Sequence, residues 1–595
     1  MFLDERMADP FHSSGSLTRM RAALSCVGAV ALALPLTAQT GSISGSVSVS
    51  VTNVDVVVTD GAGAPITDLT AADFEIRQDG KIQPITNFSF VRNAPLPHPP
   101  APEPGRTPEP AIVPAEAAPP AAARAHLIVF LDELHLTPIN RNRALTSLKD
   151  YLPTVVGPNV EVQLVTWDRS LRIRGPFLNE VPLLGRMLTE LGNEAALGNV
   201  PVRERMDLIR GIDQAFGTAD ARIRQSLLDS AIISVKAWAD EQAALLDSTA
   251  AAVRVALSSV AGVEGRKVLF FVTERLTPRP ARDLFDYIQY GMQNAGSGGR
   301  QSAGTARAGG PVDDLTWMQW DRIQAFTDVT TSANVAGVSI ITIDAAGLGF
   351  DDSLSPETNA GFSGRINSGI ASLDMMSAMD VLADQTGGAS IRGTNDLGAV
   401  LKRFEADWTA YYSLGYESPG AKAGSPRSLK VTVHRKGAEV RTRRTVIERT
   451  PQQKVADAVL AGAHIPHTTN PLGASLQIGA SKRSGSVYLL PLVFKVPYEK
   501  ITLVPKGGRA RGALLFTAVA ATPEGRVSPV TTESAPLDVP ESELSKLAGK
   551  LFTYSATLKV RAGEQTLSMA LTDEVSRLTS YIQPHVIVGS KSGKK

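Results

Sequence analysis

The sequence lacks several features that would assign it to a common class of protein. Its 595 residues include a single cysteine, Cys26, so the chain cannot form an internal disulfide. Lysine plus arginine (60) nearly cancels aspartate plus glutamate (59), so no overall field favours nucleic acid or an anionic membrane. Beyond the N-terminal stretch, no run reaches the ~18 apolar residues of a membrane helix. We therefore predict no nucleic-acid partner and no membrane span in the mature chain.

Sequence motifs of catalysis are missing as well. The phosphate-binding loop Gly-x-x-x-x-Gly-Lys-Ser/Thr does not occur in the chain. The stretch Gly361-Phe-Ser-Gly364 lacks the fifth-position glycine of a nucleophile elbow. We identify no catalytic residue and no cofactor-binding residue, and we predict that the protein is not an enzyme.

The N-terminus has the pattern of a secretory signal peptide over residues 1–38. Arg19 and Arg21 precede an apolar stretch of alanine, leucine and valine, and Ala38 is a small residue at the expected cleavage point. Met20 is an alternative start, which would leave residues 1–19 outside the protein. Export without disulfides is typical of a bacterial periplasmic or extracellular protein.

At ~150 residues per domain, a chain of this length comprises roughly three or four domains. Residues 43–92 alternate apolar and polar side chains and contain an Asp-Gly turn, which predicts a small β domain. Residues 93–124 are rich in proline and alanine, which predicts a semi-rigid linker. The chain therefore begins with two separate bodies joined by a spacer.

Residues 125–410 alternate strand-like and helix-like patterns. Apolar runs such as Leu127–Leu131 predict buried parallel strands covered by helices on both faces. The segment near 178–262 is mostly helical by periodicity and is longer than one crossover requires, so we predict a helical insertion. Residues 295–310 are rich in glycine and serine, which predicts a loop.

Toward the C-terminus the pattern becomes strand-like again. We predict a β extension over 411–450, a linker over 451–484 and a β-sandwich-like domain over 485–590. The fold class expected for the whole chain is therefore multidomain α/β + β.

Several spaced motifs resemble those of the VWFA-related (von Willebrand factor type A) proteins of acidobacteria, over residues 45–450 or so. This resemblance implies a Rossmann-like von Willebrand A domain, with a parallel-type sheet flanked by helices, between the N-terminal β domain and the C-terminal sandwich. It also implies an adhesion-type function that depends on binding another protein. The motifs are Asp60–Gly63, Leu69–Lys81, Thr386–Ala389, Asn395–Leu397 and Tyr411–Tyr416.

The same resemblance points to a degenerate metal-ion-dependent adhesion site (MIDAS). Asp132 follows the first core strand and matches the first ligand of the family's Asp-x-Ser-x-Ser motif, but Leu134 and Leu136 occupy the two serine positions. Glu274 follows Thr273 where the family shows Thr-Asp-Gly. Asp132 and Glu274 are the candidate metal ligands, for weak Mg²⁺ or Mn²⁺ binding if any, and leucine offers no oxygen to either ion.

Alternatives remain open at this stage. Glu133 or Asp168 could complete the metal site, whereas Asp132 could instead cap the next helix or accept backbone hydrogen bonds at the strand end, beside a solvated Glu274. His135 has no second histidine or cysteine at zinc spacing. The partner is an unidentified protein of the envelope or outside the cell. An exported hydrolase with an unrecognised active site and a purely structural envelope protein are the alternative functions.

We predict that the exported form begins at Gln39, because the apolar stretch and Ala38 define one cleavage point. Edman sequencing of the protein recovered from the periplasm or medium tests this. A mature chain that retains residues 20–38 would contradict the prediction.

Overall fold

The structure is a computed structural model that describes most of the chain after the predicted signal peptide. The signal peptide, residues 93–123 of the predicted linker and the greater part of the predicted loop at 295–310 lie outside the described residues. The described ranges are 51–92, 124–194, 197–274, 276–296, 316–347, 378–418, 424–463, 469–523 and 526–589.

A six-stranded sheet forms the centre of the α/β region, in the order β10-β9-β8-β5-β6-β7. Five strands are parallel, and only β7 is antiparallel to its neighbour. Strands β5 and β8 are buried along their whole length, as expected for a parallel sheet with both faces covered. The strands are β5 (Ala125–Asp132), β6 (Val160–Trp167), β7 (Leu171–Ile173), β8 (Arg266–Thr273), β9 (Val338–Asp344) and β10 (Ala389–Ile391).

Helices cover both faces of this sheet. Successive apolar residues of β5 point to opposite sides, so each face has a core of its own. Leu127 and Val129 face a core shared with α1, α2 and α7, whereas Ile128 and Phe130 face a core shared with α4, α6 and residues 378–386. The helices are α1 (Pro138–Val155), α2 (Val181–Asn193), α3 (Asn199–Gly217), α4 (Ala221–Ser259), α5 (Arg282–Gly296), α6 (Ile323–Ala336), α7 (Leu397–Arg403) and α8 (Ala406–Thr409).

The predicted helical insertion near 178–262 contains α2, α3 and α4, and these helices have different roles. Helix α2 and the C-terminal half of α4 cover the central sheet. The N-terminal half of α4 instead packs with α3 and α5 around a separate apolar core, in which Phe285 and Trp320 stack with ring centroids 5.2 Å apart. Only this second group stands away from the sheet.

A β-sandwich joins two parts of the chain that sequence analysis treated separately. Its sheets have the orders β13-β1-β11-β4 and β14-β12-β2-β3, so each contains strands from both sides of the α/β region. Each part contributes only two strands to each sheet, and an isolated pair of strands is marginally stable at best in water, so each part needs the other to cover its apolar face. The strands are β1 (Val51–Thr59), β2 (Phe74–Gln78), β3 (Lys81–Gln83), β4 (Ile85–Arg92), β11 (Ala410–Glu417), β12 (Pro426–Val433), β13 (Glu439–Arg441) and β14 (Thr445–Ile447).

The C-terminal region forms two further sheets that share one apolar core. Alternate side chains of their strands point inward, and Phe494 and Phe516 meet across the core with ring centroids 4.9 Å apart. This arrangement is that of a sandwich. The strands are β15 (Ser475–Ile478), β16 (Lys482–Ser484), β17 (Val487–Pro497), β18 (Val504–Lys506), β19 (Arg509–Ala521), β20 (Thr531–Pro540), β21 (Leu551–Val560), β22 (Gly563–Asp573), β23 (Thr579–Ile582) and β24 (His585–Val588).

The segment 451–484, predicted as a linker, contains helix α9 (Pro451–Ala461) and strands β15 and β16. Helix α9 begins with a capping box, in which the side chains of Thr450 and Gln453 each bond to the other's backbone N–H. Val459 packs against β19 and β22. Sequence analysis missed the capping signal at this position.

The fold class is thus mixed α/β with several additional antiparallel sheets, which agrees with the predicted α/β + β class. Among the described residues, no helix is both long and apolar enough to cross a membrane.

We predict that Ile76→Ala destabilises the first sandwich, because Ile76 is fully buried in its core. Removing a buried isoleucine side chain costs ~2–5 kcal/mol. Hydrogen exchange measured by mass spectrometry should accelerate in β2 and in its partner β12. The matched control is Ile82→Ala, since Ile82 is 59% exposed, and equal acceleration in both variants would contradict the assignment.

Candidate functional site

The candidate site lies at the C-terminal edge of the central sheet. Asp132 ends β5, and Glu274 directly follows the neighbouring strand β8. Strand β5 is the point at which the strand order reverses, because the chain continues to β6 on one side and reaches β8 on the other. In open parallel sheets this reversal creates a crevice outside the carboxyl ends of the strands.

The carboxylate of Asp132 is fully buried and is bound by two side chains. Its Oδ2 accepts a hydrogen bond from Thr273 Oγ1 at 2.9 Å and lies 2.7 Å from His135 Nδ1. Its Oδ1 is buried with no hydrogen-bond partner in the described structure. The backbone hydrogen bonds at this strand end, from the N–H groups of His135 and Leu136, go to the carbonyl of Asp132 rather than to its carboxylate.

The imidazole of His135 packs against this carboxylate. Burial lowers the pKa of His135, but the charge and hydrogen bond of Asp132, with the more distant charge of Glu274, raise it by more. The pKa of His135 is therefore above its usual value, and the imidazolium form is favoured. The hydrogen-bond partner of Asp132 at this position is thus a side chain of the protein.

Glu274 is buried and holds the start of helix α1. Its Oε2 accepts hydrogen bonds from the backbone N–H of Thr137 at 3.0 Å and from Thr137 Oγ1 at 2.7 Å. Thr137 is the residue immediately before the helix, where a carboxylate is also favoured by the helix dipole. The expectation that Glu274 would be solvated is wrong, because it is only 1% exposed.

The two leucines that follow Asp132 in the loop point into the protein. Leu136 is in the core on one face of the sheet and Leu134 is in the core on the other. The backbone of this loop is held by Gly198, whose N–H donates to the carbonyl of Leu136 at 3.2 Å. A Cβ at Gly198 would lie 2.3 Å from that carbonyl oxygen, so a larger residue would displace the loop.

Arginines neutralise the two other acids considered as metal ligands. Arg141 Nη1 lies 3.1 Å from Glu133 Oε2, and both residues are buried. Burial raises the pKa of Glu133, while the positive charge of Arg141 opposes that shift. Asp168 pairs at 3.0 Å with Arg172. In these contacts the carboxylates of Glu133 and Asp168 bind arginines and do not bond to Asp132.

The donor set does not fit a divalent cation. Asp132 and Glu274 reach the same edge of the sheet, but each carboxylate binds hydroxyl, backbone or imidazole donors of the protein. Within the described ranges, no group of three or more histidine, cysteine, aspartate or glutamate side chains could hold a metal ion. Magnesium needs about six oxygen ligands near 2.1 Å.

Sequence analysis missed three features of the site. The Asp132–His135 pair is spaced three residues apart, and this spacing could have suggested the contact. Thr137 before Pro138 is a helix-start signal. The contact between Arg141 and Glu133 carried no recognisable signal, because it depends on how α1 leaves the loop.

Comparisons with known proteins do not identify a family. No family model and no curated protein matches the chain. One solved structure, described as the X-ray structure of Northeast Structural Genomics Consortium target SoR45, is 6% identical and covers 21% of this chain and 95% of its own, with a TM-score of 0.15. That TM-score is too low to support any functional argument.

We predict that His135 stabilises the fold in a pH-dependent way. Its folded-state pKa is raised, so its contribution is fully present below the unfolded value of about 6.5 and is lost as the pH rises through the folded value. Urea unfolding from pH 6 to 8 should show this loss in the natural protein and not in His135→Gln.

The matched control is His126→Gln. Burial lowers the pKa of His126 to about 4, so this residue is neutral in the folded state throughout the range. Its protonation in the unfolded state near pH 6.5 makes stability rise with pH, which is the opposite sign to the effect of His135, so His126→Gln should keep or steepen the loss of stability. Lys267, whose pKa is lowered to about 8, titrates at the top of this range, but it does so in the natural protein and in both variants, so its effect cancels in the comparison. The same slope in His135→Gln and the natural protein would contradict the assignment.

Proposed function

We propose that the chain is an exported, non-enzymatic protein of the adhesion type, which uses a von Willebrand A-like domain to bind another protein. The observation that carries this proposal is the six-stranded sheet with an antiparallel edge strand and with Asp132 at the point of strand reversal. The motifs of the VWFA-related acidobacterial proteins support the same assignment. The apolar signal-like stretch before Gln39 supports export to the periplasm or beyond.

Binding at this site is independent of a metal ion. In an ion-dependent site, the bound cation completes its coordination with a carboxylate of the partner. Here the group next to Asp132 is the imidazole of His135, whose pKa that carboxylate raises, and the coordinating hydroxyls are replaced by the buried Leu134 and Leu136. The loop is therefore held by internal contacts and offers its outer surface to the partner.

Three exposed apolar side chains lie on segments next to this loop. Ile139, at the start of α1, is 80% exposed, and Leu197 and Val200 are 37% and 54% exposed. These residues lie on segments attached to the Asp132 loop, since Thr137 binds Glu274 and the Leu197 N–H donates to the Glu133 carbonyl. Exposed apolar side chains grouped near a crevice favour contact with a protein surface.

One observation favours the hydrolase alternative. The carboxylate of Asp132 contacts Nδ1 of His135, as in a catalytic pair of orienting acid and general base. Among the described residues, however, no serine, threonine or cysteine is bonded to the other ring nitrogen of His135. The binding function therefore remains the better supported one.

We predict that Ile139→Asp weakens capture of the partner at least about tenfold, because it places a charge in an apolar contact surface. The full mature chain, immobilised and incubated with envelope extract, gives the measurement. The control is Ile587→Asp on the C-terminal sandwich, since Ile587 is also strongly exposed, at 71%.

We also predict that capture is the same with and without a chelator, and that calorimetry shows Mg²⁺ binding no tighter than millimolar.

Two outcomes would contradict the proposal. Loss of capture after chelation would show that a metal ion completes the site. Release of product from ester or peptide substrates, abolished by His135→Gln, would favour the hydrolase.

A further inference from the structure

A second site lies at the opposite edge of the central sheet, where β8 and β9 begin. A cavity of about 470 Å³ separates these strand starts from strands β1, β4 and β11 of the first sandwich. It is remote in the fold from Asp132, which lies at the other end of β5. Cavities of this size are typical of small-molecule sites, which range over ~300–1,000 Å³.

The cavity lining has an excess of positive charge. Arg266, Lys267 and Arg443 line it, and Asp55 is the one carboxylate among its described lining residues. Arg266 Nη1 lies 3.5 Å from Asp55 Oδ2, so this acid is shared with the nearest arginine. Three cations and one carboxylate leave two positive charges without a balancing acid in the lining.

The contacts of Lys267 and Arg443 leave this charge uncompensated. Lys267 Nζ donates to the Val263 carbonyl at 2.5 Å, and Arg443 donates to the carbonyls of Asn53 and Asn334. These acceptors carry no net charge. The Nε of Arg443 is buried and has no hydrogen-bond partner in the described structure.

The electrostatics show the same imbalance. Burial lowers the pKa of Lys267 to about 8. The negative charges of Asp55 and Asp457 raise this pKa, but the positive charges of Arg443 and Arg266 lower it, so the usual value is not restored. Burial also lowers the pKa of Arg443. An anion in the cavity would relieve this cost, because it would provide the missing opposite charge.

We propose that this cavity binds a small organic anion through a carboxylate or phosphate group. The two guanidinium groups suit oxyanions because their N–H donors are arranged in a planar fork, and Lys267 adds a point charge. Ser89 and Ser413 contribute hydroxyls to the lining, and the cavity exceeds the volume of one oxyanion. The remaining space accommodates the organic part of the ligand, beside Tyr411.

The test uses the full mature chain with two probes, citrate for carboxylates and inorganic pyrophosphate for phosphates. Calorimetry at constant ionic strength should show saturable binding of at least one probe. The probe that binds shows whether the site takes a carboxylate or a phosphate. Lys267→Met should weaken this binding at least about tenfold. The matched control is Lys436→Met, since Lys436 is exposed on the first sandwich and should not affect binding.

Asp55→Asn provides a test that loss of folding cannot imitate. Removing the carboxylate should tighten probe binding severalfold, because the anion no longer competes with Asp55 for Arg266. Affinity in the natural protein should also fall as the pH rises through about 8, where Lys267 loses its proton.

Failure of both probes to bind at millimolar concentration would overturn the proposal. Equal weakening by Lys436→Met, or weaker binding by Asp55→Asn, would also overturn it. None of these results depends on the partner-binding site near Asp132.

Discussion

The pairing of β1 with β11 is the constraint on which the architecture depends. In its register Val54 lies opposite Leu414 and Val56 opposite Tyr412, so strands from both sides of the α/β region share one core. In the sequence, the α/β region is therefore an insertion between the two halves of the sandwich, and the sandwich forms only when these halves pair. The Tyr412 hydroxyl strengthens this closure by accepting from the Leu69 N–H and donating to the Ile66 carbonyl.

The site near Asp132 shows how the fold accommodates a buried carboxylate at the edge of the central sheet. A buried carboxylate requires a compensating partner, since an isolated charge in the interior is costly. His135 and Thr273 provide that partner, and the neighbouring leucines extend the two cores up to the edge of the sheet. The loop is therefore held in place by the contacts of its buried side chains.

Local patterns in the sequence predicted the elements better than they predicted the partners of those elements. The apolar run Leu127–Leu131 indicated a buried parallel strand, and the structure places it at the centre of the sheet. The joining of residues 51–92 with 410–447 was not predictable in this way, because alternation shows which face is apolar and not what covers it. Asp132 and Glu274 were correctly placed at one sheet edge, but their hydrogen-bond partners depend on tertiary contacts that no spacing rule describes.

The inserted arrangement has a consequence for how the chain folds. Leu69 and the tyrosine that binds it are 343 residues apart, so the first strands leave the ribosome long before their partners exist. Closing such a long loop is entropically unfavourable until the α/β region has folded and brought its two ends together. Until then, the unpaired edges of β1 and β2 are exposed to other chains. Folding is thus ordered from the inside outward, with the middle of the sequence folding before its flanks.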